Sequence, residues 1–154
     1  MSRMAHCRPD GRWITLKWEL QMTELCDLSA SLLGTMIRTR EASPVEIMES
    51  CIARTKAVDG ALNAMVTPAF DTALSAAREA EDAVMWGDDL GLIHGLPVAV
   101  KDLDATAGIR TTYGSRLHQH DIPDADQGAV ARFRKQGGIV IGKTNTPEFG
   151  AGGN

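Results

Sequence analysis

The dominant spacing of the apolar residues changes from helical to extended around Gly87–Gly91, and that change constrains the fold more than any other feature. Before it they recur at three-and-four spacing, the mark of helices with one buried stripe. Ser29 is placed to cap a helix over about 30–40 with Leu32, Leu33, Met36 and Ile37 on one face. Ser43-Pro44-Val45-Glu46 then sets a hydroxyl at the N-cap, proline at the first helical position and a carboxylate at N3. The predicted helix carries Ile47, Met48, Cys51, Ile52 and Val58 inward and ends at Gly60. Leu62–Thr67 is short and strand-like, and Pro68 opens an alanine-rich helix to about Trp86. Its Ala69, Ala73, Ala76, Ala77, Ala80 and Ala83 allow close packing, and Arg78, Glu79, Glu81 and Asp82 form the wet side.

After the break the apolar runs are short and β-branched. Leu96–Val100 and Ile139-Val140-Ile141 are predicted buried strands, separated by a polar loop and a helix over 128–136 with Val130 and Phe133 inward. Helices followed by strand–helix–strand imply an α/β sheet with the opening helices packed around it.

Charge and length narrow the class further. The 154 residues hold 16 Lys+Arg against 20 Asp+Glu, a net charge of −4 that favours neither nucleic acid nor an anionic membrane. Cys7, Cys26 and Cys51 are an odd number without a C-x-x-C pair, which fits a reducing, cytoplasmic setting. Met1–Gln21 has no apolar run of signal-peptide length, and no stretch approaches a membrane span. Residues 1–24 read as an extension or arm, and 25–154 as the structured part.

Three motifs carry possible chemistry. Lys101 ends the first strand and precedes Asp102. It is either a surface lysine clearing the sheet edge or a desolvated amine whose lowered pKa would let it deprotonate a serine. Gly137–Thr144, GGIVIGKT, matches the phosphate-loop pattern letter for letter. Yet Ile139-Val140-Ile141 occupy the loop interior, and Pro147 interrupts the helix that should follow. A nucleotide cradle at 137–144 is therefore rejected. His118 and His120, with Asp121 and Asp124, could offer metal ligands but read as solvated loop, so no metal or cofactor is expected. Cys51 reads as core and not as a nucleophile.

Taken in order, Gly95–Asp102, Gly108 through Thr111-Thr112-Tyr113-Gly114-Ser115, Gly142-Lys143-Thr144-Asn145 and Glu148-Phe149 resemble the amidase signature family over about 25–154. The resemblance implies the N-terminal helices and first strands of a mixed-sheet α/β fold, and cleavage of carboxylic amide C–N bonds by a Ser/cis-Ser/Lys triad. Lys101 aligns with the catalytic lysine, and Phe149, Gly150, Ala151 and Gly152 with a stretch lining the substrate pocket. Both family serines belong to a Gly-Gly-Ser-Ser-Gly-Gly stretch that is absent up to Asn154. The expectation is thus an incomplete amidase domain, inactive alone, with an unpaired strand edge. It would act on a small-molecule amide, with no nucleic-acid or membrane partner and a possible homo-oligomeric state. The alternatives are a non-catalytic binding remnant that pairs with a serine-bearing chain and, on its literal pattern alone, a phosphate-loop nucleotide binder at 137–144.

Overall fold

The computed structural model describes residues 24–152, together with two short antiparallel strands, β1 (His6–Cys7) and β2 (Trp13–Ile14). The rest of the expected arm at 1–24 lies outside the described residues. From Glu24 onward the elements are α1 (Ala30–Thr39), α2 (Pro44–Leu62), β3 (Met65–Pro68), α3 (Phe70–Trp86), β4 (Pro97–Lys101), α4 (Gly128–Lys135) and β5 (Ile139–Thr144). Strands β3, β5 and β4 form a mixed sheet in that order, with β5 central, antiparallel to β3 and parallel to β4.

The helix starts follow their capping chemistry. Ser29 Oγ accepts from the Leu32 amide. Ser43 and Glu46 close a reciprocal capping box, the side chain of each accepting from the other's backbone N–H. Helix α2 runs through Gly60, the expected stop, and ends at Leu62. Two other features set the end. Asn63 adopts the left-handed C-cap conformation, and Asp59 Oδ1 accepts from the amides of Ala64 and Met65, steering the chain into β3. Pro68 closes β3 instead of opening α3, which begins at Phe70.

Strand β5 is apolar on both faces because both are covered. On one, Ile139 and Ile141 pack with Met48 and Ile52 of α2 and with Ala73, Ala77 and Ala80 of α3. On the other, Val140 meets Val100 of β4 and Val130 of α4. A third cluster joins Leu33 and Ile37 of α1 to Ile47, Val84 and Leu96. Three expected core residues stay partly in water: Leu32 at 41%, Val58 at 40% and Phe133 at 43% exposure. The buried stripes are narrower than the apolar patterns. Helix α1 buries Leu33, Gly34 and Ile37, α2 is buried only as far as Ile52, and α4 buries Val130 alone.

Gly142 lets β3 lie close against β5. A Cβ there would stand 2.5 Å from Met65 Sδ and 2.7 Å from Thr67 O. Overpacking of this kind costs about 1–3 kcal/mol. Gly142→Ala is therefore expected to lose that much unfolding free energy, read in equilibrium unfolding as a lower urea midpoint with an unchanged slope.

Candidate active site

The parallel strands β4 and β5 end together, with Lys101 in register with Thr144. The C-terminal ends of parallel strands, where loops diverge, are the usual place for a site in an α/β sheet. Two loops meet there. The first runs from Asp102 to Ser115, the second from Asn145 to Gly150. The Tyr113 amide closes the first loop on itself by donating to Asp102 O at 2.9 Å, and the Phe149 amide joins the second loop to it by donating to Tyr113 O at 2.8 Å. Ser115 Oγ adds a 2.7 Å bond to Glu148. Gly114, at φ +68°, lies so close to the second loop that a Cβ would reach 2.9 Å from Thr146 O and Pro147 O.

The first loop is held by a lysine other than the one the sequence singled out. Lys143, in β5, is wholly buried. Its Nζ donates to Thr106 Oγ1 at 3.0 Å, to Thr111 Oγ1 at 2.9 Å and to Asp104 O, and lies 3.8 Å from Asp102 Oδ1. The charge state follows from counting donors. Thr106 Oγ1 donates its proton to Asp104 O and Thr111 Oγ1 donates to Ile109 O, so both hydroxyl oxygens can only accept from Nζ. Three acceptors require three N–H groups, and only the ammonium has them. Asp102, 1% exposed, is the counter-ion, and it also accepts from the amide and hydroxyl of Thr112. Burial pushes the Lys143 pKa below the ordinary lysine value, opposed by the Asp102, Asp104 and Asp126 carboxylates.

Lys101 itself is exposed. Of the two readings of Lys101, its exposure among the described residues fits the lysine clearing the sheet edge and not the desolvated amine: β4 has β5 on one side only, and Lys101 is its last residue. Phe149, Gly150, Ala151 and Gly152 are likewise exposed, in the loop beside it. Gly150 packs on Leu103, where a Cβ would stand 2.7 Å from Leu103 Cδ1.

Other candidates separate from this site. Gly142-Lys143-Thr144 lies inside β5, paired on both sides, which leaves no flexible phosphate loop. His118 pairs with Asp121 at 2.6 Å. Among the described residues the one clustered set of possible metal ligands is Glu24, Cys26 and Asp27, and Arg54 already bonds both of its carboxylates. Cys51 is half-buried, and burial and the nearby Cys26 push its thiol up, away from the reactive thiolate.

Residues 46–154 match the family model described as Amidase. The chain belongs to the amidase signature family. It is 40% identical over 129 residues to a glutamyl-tRNA(Gln) amidotransferase subunit of Geotalea daltonii, covering 84% of this chain and 26% of that protein. The corresponding subunit of Carboxydothermus hydrogenoformans is 38% identical, with 84% and 27% covered. The chain thus spans about a quarter of the length of the curated relatives it matches. Among solved structures, a bacterial aryl acylamidase of the amidase signature family superposes at TM-score 0.74 with 28% identity, over 79% of this chain and 26% of that one. The peptide amidase of Stenotrophomonas maltophilia gives 0.74 and 29%, over 80% and 26%. The mixed α/β sheet is therefore the family's, and no described helix is long and apolar enough to cross a membrane.

Lys143→Met removes the cation and leaves Asp102 buried beside it, a change that costs about 3–5 kcal/mol. The pH dependence has a definite sign. With the folded pKa below the unfolded value of about 10.5, the unfolded chain holds the extra proton between the two. Stability of the parent therefore rises with pH through that window. Urea titrations at several pH values should show the rise in the parent and not in Lys143→Met.

Proposed function

We propose that this chain is the N-terminal part, residues 25–154, of an enzyme that cleaves carboxylic amide C–N bonds, and that Lys101 is its base. The observation that carries the reading is Lys101 at the paired ends of β4 and β5, beside two loops locked together and to the sheet. The family match and relatives that include an aryl acylamidase and a peptide amidase support the chemistry. The curated relatives named as amidotransferase subunits support the same bond cleavage inside a larger assembly.

In this reading the triad is completed by two serines supplied by a segment packed over Lys101. The neutral amine takes a proton relayed through the bridging serine. The second serine, giving up its proton to that relay, attacks the amide carbon; the lysine then returns the proton to the substrate nitrogen, the C–N bond breaks and ammonia or an amine departs, and water hydrolyses the acyl-serine to a carboxylate. An amine gives up its proton more readily when removed from water, so the same covering segment that brings the serines would also favour the base form. Phe149, Gly150, Ala151 and Gly152 would border the substrate. The reaction takes place on a small-molecule amide in the cytoplasm and uses no cofactor.

Two outcomes test this. The 154-residue chain alone should release no ammonia from simple amides above the buffer rate. Joined to a serine-bearing segment that restores turnover, Lys101→Ala should lower kcat by about 10³-fold or more, as loss of a triad member does. Turnover that survives Lys101→Ala, or turnover by the isolated chain, would sink the proposal.

A further inference from the structure

Four residues other than glycine have positive φ among those described: Arg40, Asn63, Tyr113 and Phe149. The first two are helix C-caps, which explains them. Tyr113, at φ 56°, and Phe149, at φ 49°, cap no helix. Side chains rarely adopt this conformation, and where they do the surroundings must hold them there, often at a binding site. Here both strained residues present a ring to the same imidazole. The His118 ring lies 5.1 Å from that of Tyr113 at 75° and 5.8 Å from that of Phe149 at 87°, two edge-to-face contacts. The backbones of Tyr113 and Phe149 are joined by the 2.8 Å bond described above.

The imidazole is fixed in orientation as well as position. Asp121 Oδ2 holds Nδ1 at 2.6 Å, and the His118 amide donates to Ser115 O. In the neutral ring, a carboxylate on Nδ1 selects the tautomer with its proton there and leaves Nε2 as an acceptor. Nε2 has no hydrogen-bond partner among the described residues. Phe149 is 55% exposed and the His118 side chain 36%. The result is an open corner of aromatic surface with one outward acceptor. It adjoins Asp102, the residue after Lys101, through the Tyr113 amide. Such a corner favours a flat ring that can pack against ring faces and edges, joined to an N–H within reach of Nε2.

We propose that Tyr113, His118 and Phe149 form a recognition corner for the ring of an aromatic amide, with His118 Nε2 accepting the amide N–H. That the ligand is an amide rests on the function proposed above; the preference for an aromatic ring rests on the corner alone. Asp121 acts as a positioning residue, since it orients the imidazole and would not touch the ligand.

Binding to the 154-residue chain tests this without any need for turnover. Benzamide, cyclohexanecarboxamide and N,N-dimethylbenzamide are titrated, and the ring-proton NMR signals of Tyr113, His118 and Phe149 are followed. Benzamide should shift all three and bind about fivefold more tightly than the saturated analogue, the scale of one or two ring–ring contacts. The dimethyl compound, lacking the N–H, should lose a similar factor. Phe149→Leu keeps the apolar bulk and should lose the preference for the aromatic ring, while His118→Ala should lose both preferences. Equal binding of benzamide and cyclohexanecarboxamide, or shifts confined to other residues, would overturn the proposal even if neither variant folds. The two readings fail separately. Lys101-dependent hydrolysis without aromatic preference would remove the corner and keep the amidase; aromatic preference without hydrolysis in the serine-completed enzyme would do the reverse.

Discussion

One buried ammonium organises the end of the sheet where the candidate site lies. The loop after β4 is poor in large apolar side chains, and its buried members Asp102, Thr106, Thr111 and Ser115 are polar. A loop of that composition cannot be held by hydrophobic packing, and burying its hydroxyls and carboxylate unpaired would cost several kcal/mol. Lys143 removes that cost by supplying three donors and a positive charge at one point. No buried side-chain polar atom among the described residues is left without a partner. The loop that carries Tyr113 is thus anchored by a charge that is itself wholly buried.

How Lys143 comes to point into the loop is a matter of register. Strict alternation along β5 would put residue 143 on the face of Ile139 and Ile141, against α2 and α3. The ladder shifts by one between Val98 and Ala99: Val98 pairs with Val140, but Ala99 pairs with Gly142 and Val100 with Lys143. The extra residue in β5 turns Lys143 to the face of Val100 and Val140, where the 102–112 loop crosses. Bulges near functional sites commonly re-aim a side chain in this way. Gly142 stands at the shift, the position at which β3 also makes its close approach.

Much of this architecture is legible in the sequence, for identifiable reasons. The capping box at Ser43–Glu46, the three-and-four pattern of Leu33 and Ile37, and the β-branched runs at 97–100 and 139–141 are local signals, and local interactions decide them. The end of α2 is harder to read because Gly60 is a weak stop, and the Asp59 carboxylate that bonds two amides beyond the helix is a stronger one. Of the candidate site, Lys101 and the 149–152 segment are proposed from resemblance alone. Lys143 escapes a local reading because its partners lie 32 to 39 residues earlier in the chain. A signal does exist, in the density of Asp and Thr between 102 and 112. Those residues would bury several polar groups together and so require a cation.

With Lys101 in the role proposed above, one strand pair would serve both structure and chemistry. Register places Lys143 beside Val100 and Lys101 beside Thr144, one step apart on neighbouring strands. Side chains one step apart point to opposite faces, so the sheet itself separates the two amines. If both shared a face, the buried charge of Lys143 would disfavour any second cation nearby, and Asp102 would be divided between them. With the faces separated, Asp102 can serve Lys143 and Thr112 while Lys101 stays free of any described carboxylate partner. An amine that is to gain and lose a proton during a reaction must not be locked into a permanent ion pair. The bulge that sends Lys143 inward therefore does two things at once, since it fixes the loop and keeps its counter-ion away from Lys101.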